Sequence, residues 1–295
     1  MKKLMILLPI AAGILFGSVG LFVRILTEND FSNATILFVR VLFAAILLGI
    51  YLLFHDKEML KIRMKDLLVF CGTGILGMMG LNLCYNNAIN SLSLSLSAIL
   101  LSTAPIFVII FAAVLFKEKI TRRKIFCIGL AILGCVLASG ILEEKTAISV
   151  STAGILFGAA AAVFYALYSI FSKFATDRNY HSYTVIFYSV VLISIALLPF
   201  ADLHAAGGFV TAAPMKNVLF LCLHSLCTSV LPYIFITMAL THVEAGKVSI
   251  LASGVEPAAA ALFGILFYDE IPTLLILMGI LLTIAALTLL CRGED

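Results

Sequence analysis

Apolar stretches of about 20 residues follow one another along this chain with only short polar connections between them, and that length as an α-helix spans a hydrocarbon core of roughly 30 Å. In lipid each backbone amide must find its partner inside the protein, so a crossing segment is a helix or a barrel strand, and about 20 residues is twice what a barrel strand needs. On that ruler the sequence predicts ten spans, at about 4–26, 34–54, 67–89, 96–116, 125–142, 152–172, 183–201, 217–240, 248–268 and 273–290. The expected fold is therefore an all-α membrane protein. Of the 295 residues 63% are apolar and 12% charged, whereas about a quarter are charged in soluble domains. No mixed polar stretch reaches domain length, which argues against a separate soluble catalytic module. Met1-Lys2-Lys3 before an apolar run has the outline of a signal peptide, but no small-x-small cleavage site follows, and the run is taken as the first span.

Charge supplies the orientation. With the N-terminus in the cytoplasm, 15 of the 19 basic residues fall in cytoplasmic segments, around Lys2, Lys57–Lys65, Lys117–Lys124, Lys173, Arg178, Lys247 and Arg292. The opposite loops hold Lys145 and Lys216, and Arg24 and Arg40 lie within spans. That bias predicts a bacterial inner-membrane protein with both termini cytoplasmic. A few short basic loops beside a formal net charge of +3 give no nucleic-acid footprint, so no nucleic-acid partner is expected. The seven cysteines are odd in number, lie mostly in apolar runs and form no C-x-x-C pair. They predict buried small side chains, with no disulfide framework, metal site or cofactor.

The chain also repeats itself. Ala12-Gly13-Ile14-Leu15-Phe16-Gly17 in the first span recurs letter for letter as Ala153 to Gly158 in the sixth. Pro105 and Glu118 stand to span four as Pro257 and Glu270 stand to span nine, each pair displaced by 152 residues. Five spans per half is an odd number, so the halves, 1–146 and 147–295, are expected to cross the membrane in opposite directions. Inverted repeats of this kind place a solute site near the midplane between them. A proline inside a span displaces the carbonyl four residues earlier, Leu101 for Pro105 and Ser253 for Pro257, either freeing it for a ligand or merely kinking the helix. Gly13, Gly17, Gly154 and Gly158 form small-xxx-small faces suited to close helix packing.

Two five-span halves, a glycine-rich first helix, Arg40 followed by apolar residues and Ala44, and the Pro-x12-Glu pattern with Glu256 beside Pro257 resemble the EamA family of drug/metabolite transporters over the whole chain. The resemblance implies a ten-helix fold around a central cavity and transport of amino acids, amines, sugars or related metabolites. Phe16 and Tyr165 stand where many relatives carry tryptophan, which this chain lacks.

Polar side chains at membrane depth face a partner, the bundle interior or a water-filled cavity. Met79, Asn82, Asn86 and Asn90 share one face of span three by their spacing, with Asn87 beside them. Carboxamides there suit a zwitterionic or hydroxylated solute, or bond neighbouring helices together. Ser249, Ser253 and Glu256 share a face of span nine. Glu256, a carboxylate deep in the hydrocarbon, is a candidate proton carrier or contact for an amine, unless Arg40 or His224 pairs with it. Arg40 is placed either to grip a carboxylate bidentately or to extend toward the outer headgroups. Tyr165, Tyr168 and Ser169 with His224, Thr228 and Ser229 complete a polar ring, although a membrane histidine commonly just bonds helix to helix. Lys173 and Arg24 read as span-end anchors.

No H-E-x-x-H, no G-x-S-x-G and no facing pair of deep carboxylates occurs, so no enzyme is expected. The repeat favours a carrier over a channel or receptor-like scaffold, because opposed halves provide two access states. The expected function is alternating-access transport of a small neutral or zwitterionic metabolite such as an amino acid, with the proton as candidate coupling ion. A cationic amine or drug-like compound is the alternative. The expected partners are solute, lipid and, at most, a second copy of the chain.

Overall fold

The computed structural model describes residues 2–91, 100–138, 151–268 and 273–291, less the side chains of a few of them, among which are Arg24, Asn90 and Pro257. Glu270 lies outside the described residues. Among those residues the chain is helical, with no strand. Helices α1 (Lys2–Gly17) and α2 (Val19–Thr27) are parted only at Ser18, whose hydroxyl donates to the Leu15 carbonyl at 2.6 Å. Helix α3 (Asn33–His55) begins at Ser32, whose hydroxyl accepts the Thr35 amide at 3.2 Å and so satisfies one of the helix's orphan donors. Helix α4 (Leu67–Cys71) passes through a π-helical stretch, Gly72–Met79, into α5 (Gly80–Ser91). Then come α6 (Ala104–Phe116), α7 (Arg122–Ala138), α8 (Thr152–Asp177) and α9 (Ser182–Leu197). Helices α10 (Leu203–Ala212) and α11 (Pro214–Ser225) follow, and α11 continues through a second π-helical stretch, Leu226–Val230, into α12 (Leu231–Leu240). The last two are α13 (Ala245–Tyr268) and α14 (Leu274–Cys291).

Among the described residues six stretches are long and apolar enough to cross a membrane: Met5–Thr27, Asn33–His55, Met64–Ala88, Thr152–Asp177, Ser182–Phe200 and Pro214–Leu240. Ala104–Phe116 and Leu277–Ala286 are shorter apolar helices. Two local features refine the reading of the sequence. The connection expected after residue 201 contains α10, which buries none of its side chains and is capped by Asp202 accepting the Ala205 amide at 2.9 Å. Ten residues fall well short of a crossing, which is why a 20-residue ruler passes over them. Pro105 does not kink a continuous span. It lies in the first turn of α6, directly after a break at Ser102–Thr103, where its missing N–H costs nothing. Pro257, in contrast, lies within the continuous α13.

Helix α1 packs on α12 and α13, while α8 receives α6 and the segment running from Gly72 through α5. Helix α3 lies against α9 and α11, and α7 against α14. Two of these contacts require glycine. A Cβ at Gly77 would stand 2.6 Å from the Tyr168 Cα, and one at Gly13 would stand 2.6 Å from the Ala252 carbonyl oxygen. Gly13 thus sits at the kind of close packing expected of it.

The loops near residues 56–66, 117–121, 178–181 and 241–244 gather at one end, where the Phe116 and Phe174 rings lie 4.9 Å apart with the Lys173 ammonium over Phe116 at 5.2 Å. This basic end is tied by polar contacts. Arg178 pairs with Asp66, which also accepts the Tyr180 hydroxyl at 2.6 Å, and that hydroxyl in turn accepts the Arg63 amide at 3.0 Å. Burial, and then the carboxylate to which it donates, push the Tyr180 phenol above its usual range. Tyr188 and Thr184 of α9 donate to the carbonyls of Leu60 and Met59 at 2.5 and 2.7 Å. Lys124 pairs with Glu244 and, at 4.0 Å, with Glu118, whose other oxygen accepts the Ala245 amide at 3.0 Å and caps α13.

Candidate functional site

The two π-helical stretches occupy related positions. Displaced by the same 152 residues as the proline–glutamate pairs, Gly72–Met79 falls on 224–231, which contains Leu226–Val230. A π turn adds a residue to the helix and frequently marks a functional site. Here each lies just before a polar side chain of the bundle interior, Asn82 in α5 and Tyr233 in α12.

Arg40 of α3 is where these converge. The residue is 5% exposed, and its guanidinium donates through Nη2 to Asn82 Oδ1 at 2.7 Å. Asn82 is held in that sense because its Nδ2 donates to the Met78 carbonyl at 2.6 Å, with the Tyr233 hydroxyl at 3.5 Å. The Ser225 hydroxyl fixes the backbone from the other side by donating to the Arg40 carbonyl at 2.6 Å. Arg40 therefore points into the bundle, and its extension toward the headgroups does not occur. Arg40 Nε makes no hydrogen bond, and among the described residues no carboxylate pairs with the guanidinium.

His224 is wholly buried and stacks on Phe22 with ring centroids 5.1 Å apart and planes 19° apart. Neither ring nitrogen has a hydrogen-bond partner, so the helix-to-helix bond expected of a membrane histidine is absent. The ring lies within electrostatic reach of Arg40.

Glu256, in α13, lies within electrostatic reach of Tyr233. Its side chain is half-buried, as is that of Tyr85. The carboxyl interacts electrostatically with the hydroxyls of Tyr85, Tyr165 and Tyr233, and no ion pair joins it to Arg40 or His224 among the described residues. The Tyr165 hydroxyl lies beside Ser253 without forming a bond of normal geometry. Ser253 also borders a void of about 10 Å³ with Ser102 and Pro105, near the size that admits one water. The Tyr233 ring meets Phe16 and Tyr168 edge-on at 5.0 and 4.9 Å.

Several expected residues stand apart from this cluster or are already committed. Tyr168 is fully buried and bonded to Thr237 Oγ1 at 3.1 Å and to the Tyr233 carbonyl at 3.3 Å, which makes it a brace for α12. Ser169 and Thr228 donate to carbonyls one turn back, Tyr165 and His224, at 3.2 and 2.7 Å. Asn87 is exposed and bonds the Leu83 carbonyl, while Asn86 and Met79 are half-buried, Met79 against the apolar core. The buried hydroxyls of Ser249 and Ser229 lack partners. Tyr233, Tyr85 and Phe22 were not singled out from the sequence. A tyrosine inside an apolar span whose hydroxyl must find a polar neighbour is the signal that marks the first two.

The sequence profile of the EamA-like transporter family matches the chain over residues 3–140 and again over 152–292. An uncharacterized transporter of Archaeoglobus fulgidus is 29% identical over 197 residues, 66% of this chain and 66% of its own, so the chain spans just under two thirds of that relative. The pseudopaline exporter CntI of Pseudomonas aeruginosa is 27% identical over 221 residues, 75% of this chain and 74% of its own. The uncharacterized transporter YxxF of Bacillus subtilis is 24% identical over 294 residues, 99% and 91% of the two chains. A crystal structure with 16% sequence identity superposes at a TM-score of 0.74 over 100% of both chains, a likeness of fold alone.

Proposed function

The chain belongs to the EamA-like transporter family, and from that premise we propose that it is a secondary carrier for a small neutral or zwitterionic metabolite such as an amino acid. It works by alternating access in a bacterial inner membrane, with ten spans in two inverted halves and both termini in the cytoplasm. The profile's double match supports the two halves. So does the packing, whose contacts come in reciprocal pairs under exchange of the halves. Contact of α1 with α13 mirrors that of α8 with α6, and contact of α1 with α12 mirrors that of α8 with α5. The pairs α3 with α9 and α7 with α14 each map onto themselves. A relative named as a pseudopaline exporter supports solute carriage.

The observation that carries the proposal is Glu256, a half-buried acid within a span, with no ion-pair partner among the described residues and within electrostatic reach of Tyr85, Tyr165 and Tyr233. A carboxyl at membrane depth exchanges a proton with whichever side it opens to and thereby couples solute flux to a pH gradient. The same acid among aromatic rings favours a cationic amine or drug-like compound as the second reading. Proteoliposomes holding the wild type or Glu256→Gln, tested with labelled amino acids, amines and sugars with and without a pH gradient, decide the matter. Saturable wild-type flux that follows the gradient, with a mutant whose flux ignores it, is the expected result. A mutant that still follows the gradient returns Glu256 to a packing role. A wild type that carries nothing removes the proposal.

A further inference from the structure

We propose that Arg40, with Asn82 and His224, forms a carboxylate subsite, so that the carried solute bears a carboxylate and Arg40 determines specificity for it. This deepens the carrier reading and rests on it. Arg40 is 5% exposed, and a buried cation without a counter-charge is costly. Its one hydrogen-bond partner is Asn82, a neutral group, at 2.7 Å, and Nε makes no bond. Among the described residues no acid pairs with it. Glu256 makes no ion pair with Arg40, although Tyr233 lies within electrostatic reach of both. No acid among the described residues supplies the missing negative charge, and a carboxylate on the solute would supply it.

Two further features fit a planar, two-oxygen anion. The Arg fork presents parallel N–H donors that match a carboxylate bidentately, and Arg40 keeps donors to spare after serving Asn82. His224, within electrostatic reach of Arg40, has both nitrogens unpartnered while its ring is clamped flat on Phe22. Its N–H is a second donor held in position and unused. Asn82 is fixed by the Met78 carbonyl so that its oxygen faces Arg40, which leaves the guanidinium oriented before any ligand arrives.

The test compares leucine with leucinamide and isoamylamine, and serine with serinamide and ethanolamine, as competitors in counterflow through wild type, Arg40→Gln and Arg40→Lys. The wild type is expected to favour each acid over its amide by roughly 100-fold or more, since a site built for a charged partner rejects the analogue that leaves its own buried groups unpaired. Arg40→Gln is expected to bring that ratio to within about threefold while still carrying the amide, and Arg40→Lys to keep part of the preference. An unchanged acid-to-amide ratio in Arg40→Gln overturns the subsite while leaving the carrier standing. Thermal shift of the wild type in detergent gives a readout that needs neither a folded mutant nor transport. Leucine should raise the melting temperature and leucinamide at equal concentration should not. Equal shifts with leucine and leucinamide, or with sodium chloride alone, assign the effect to something other than a carboxylate and overturn the proposal.

Discussion

Asp66 and Arg40 are both charged side chains that the bundle buries, 8% and 5% exposed, and they are treated in opposite ways. Asp66, at the basic end, accepts from Tyr180 and pairs with Arg178, in a network that continues to the Arg63 amide. Arg40, at mid-bundle, has one amide oxygen for its whole guanidinium, and unpaired His224, Ser229 and Ser249 are also found in the bundle interior. Buried polar groups are normally satisfied, so Asp66 obeys the rule and Arg40 departs from it. The difference separates groups that hold helices together from groups held ready for something the chain does not contain.

That contrast can be broken by substitution. The largest effect should come from Lys124→Met at the basic end. It strips Glu244 and Glu118 of their cation while leaving the Glu118 cap on Ala245. A fully buried pair broken this way costs about 3–5 kcal/mol, and with Glu244 half in solvent about 2 kcal/mol is expected. Melting in detergent should register the loss while the apparent KM for solute stays put; a shifted KM at unchanged melting temperature would mean that the basic end is part of the site. His224→Phe should act in the opposite sense. The new ring keeps the stack on Phe22 and removes two unpaired nitrogens, so stability should rise by about 1 kcal/mol as affinity for carboxylates falls. A destabilised His224→Phe would mean that the imidazole has a structural bond. The smallest change is Ser229→Ala, which deletes a buried hydroxyl without a partner and should move stability by less than about 0.5 kcal/mol. A clear drop in melting temperature would put Ser229 among the satisfied groups.

Much of this was legible in the letters because lipid is a severe judge of them. Apolar runs of span length became helices, and Arg40 and Glu256 drew notice as charges where charges are costly. The rest was hidden for identifiable reasons. Tyr233 and Tyr85 read as packing, since a tyrosine contributes mostly ring area and its single hydroxyl is silent until the neighbours are known. Helix α10 fell below the length at which the crossing ruler measures anything. Pro105 was placed mid-span because the run around it is apolar throughout, whereas the chain breaks at Ser102–Thr103 and starts afresh. The composition of Gly72–Met79, GTGILGMM, is compatible with any helical winding.

That winding matters beyond its position. A π-helical stretch stores one residue more than an α-helix needs for the same rise, and each residue of an α-helix turns the chain by about 100°. Tightening Gly72–Met79 by a single residue would swing Asn82 away from Arg40 while α4, upstream, stayed still. The same tightening at Leu226–Val230 would re-aim Tyr233, with α11 as the fixed side. The molecule thus carries two screw threads, one ahead of each polar side chain that faces Arg40, and a quarter turn of either would redirect that face without any helix leaving its place in the bundle.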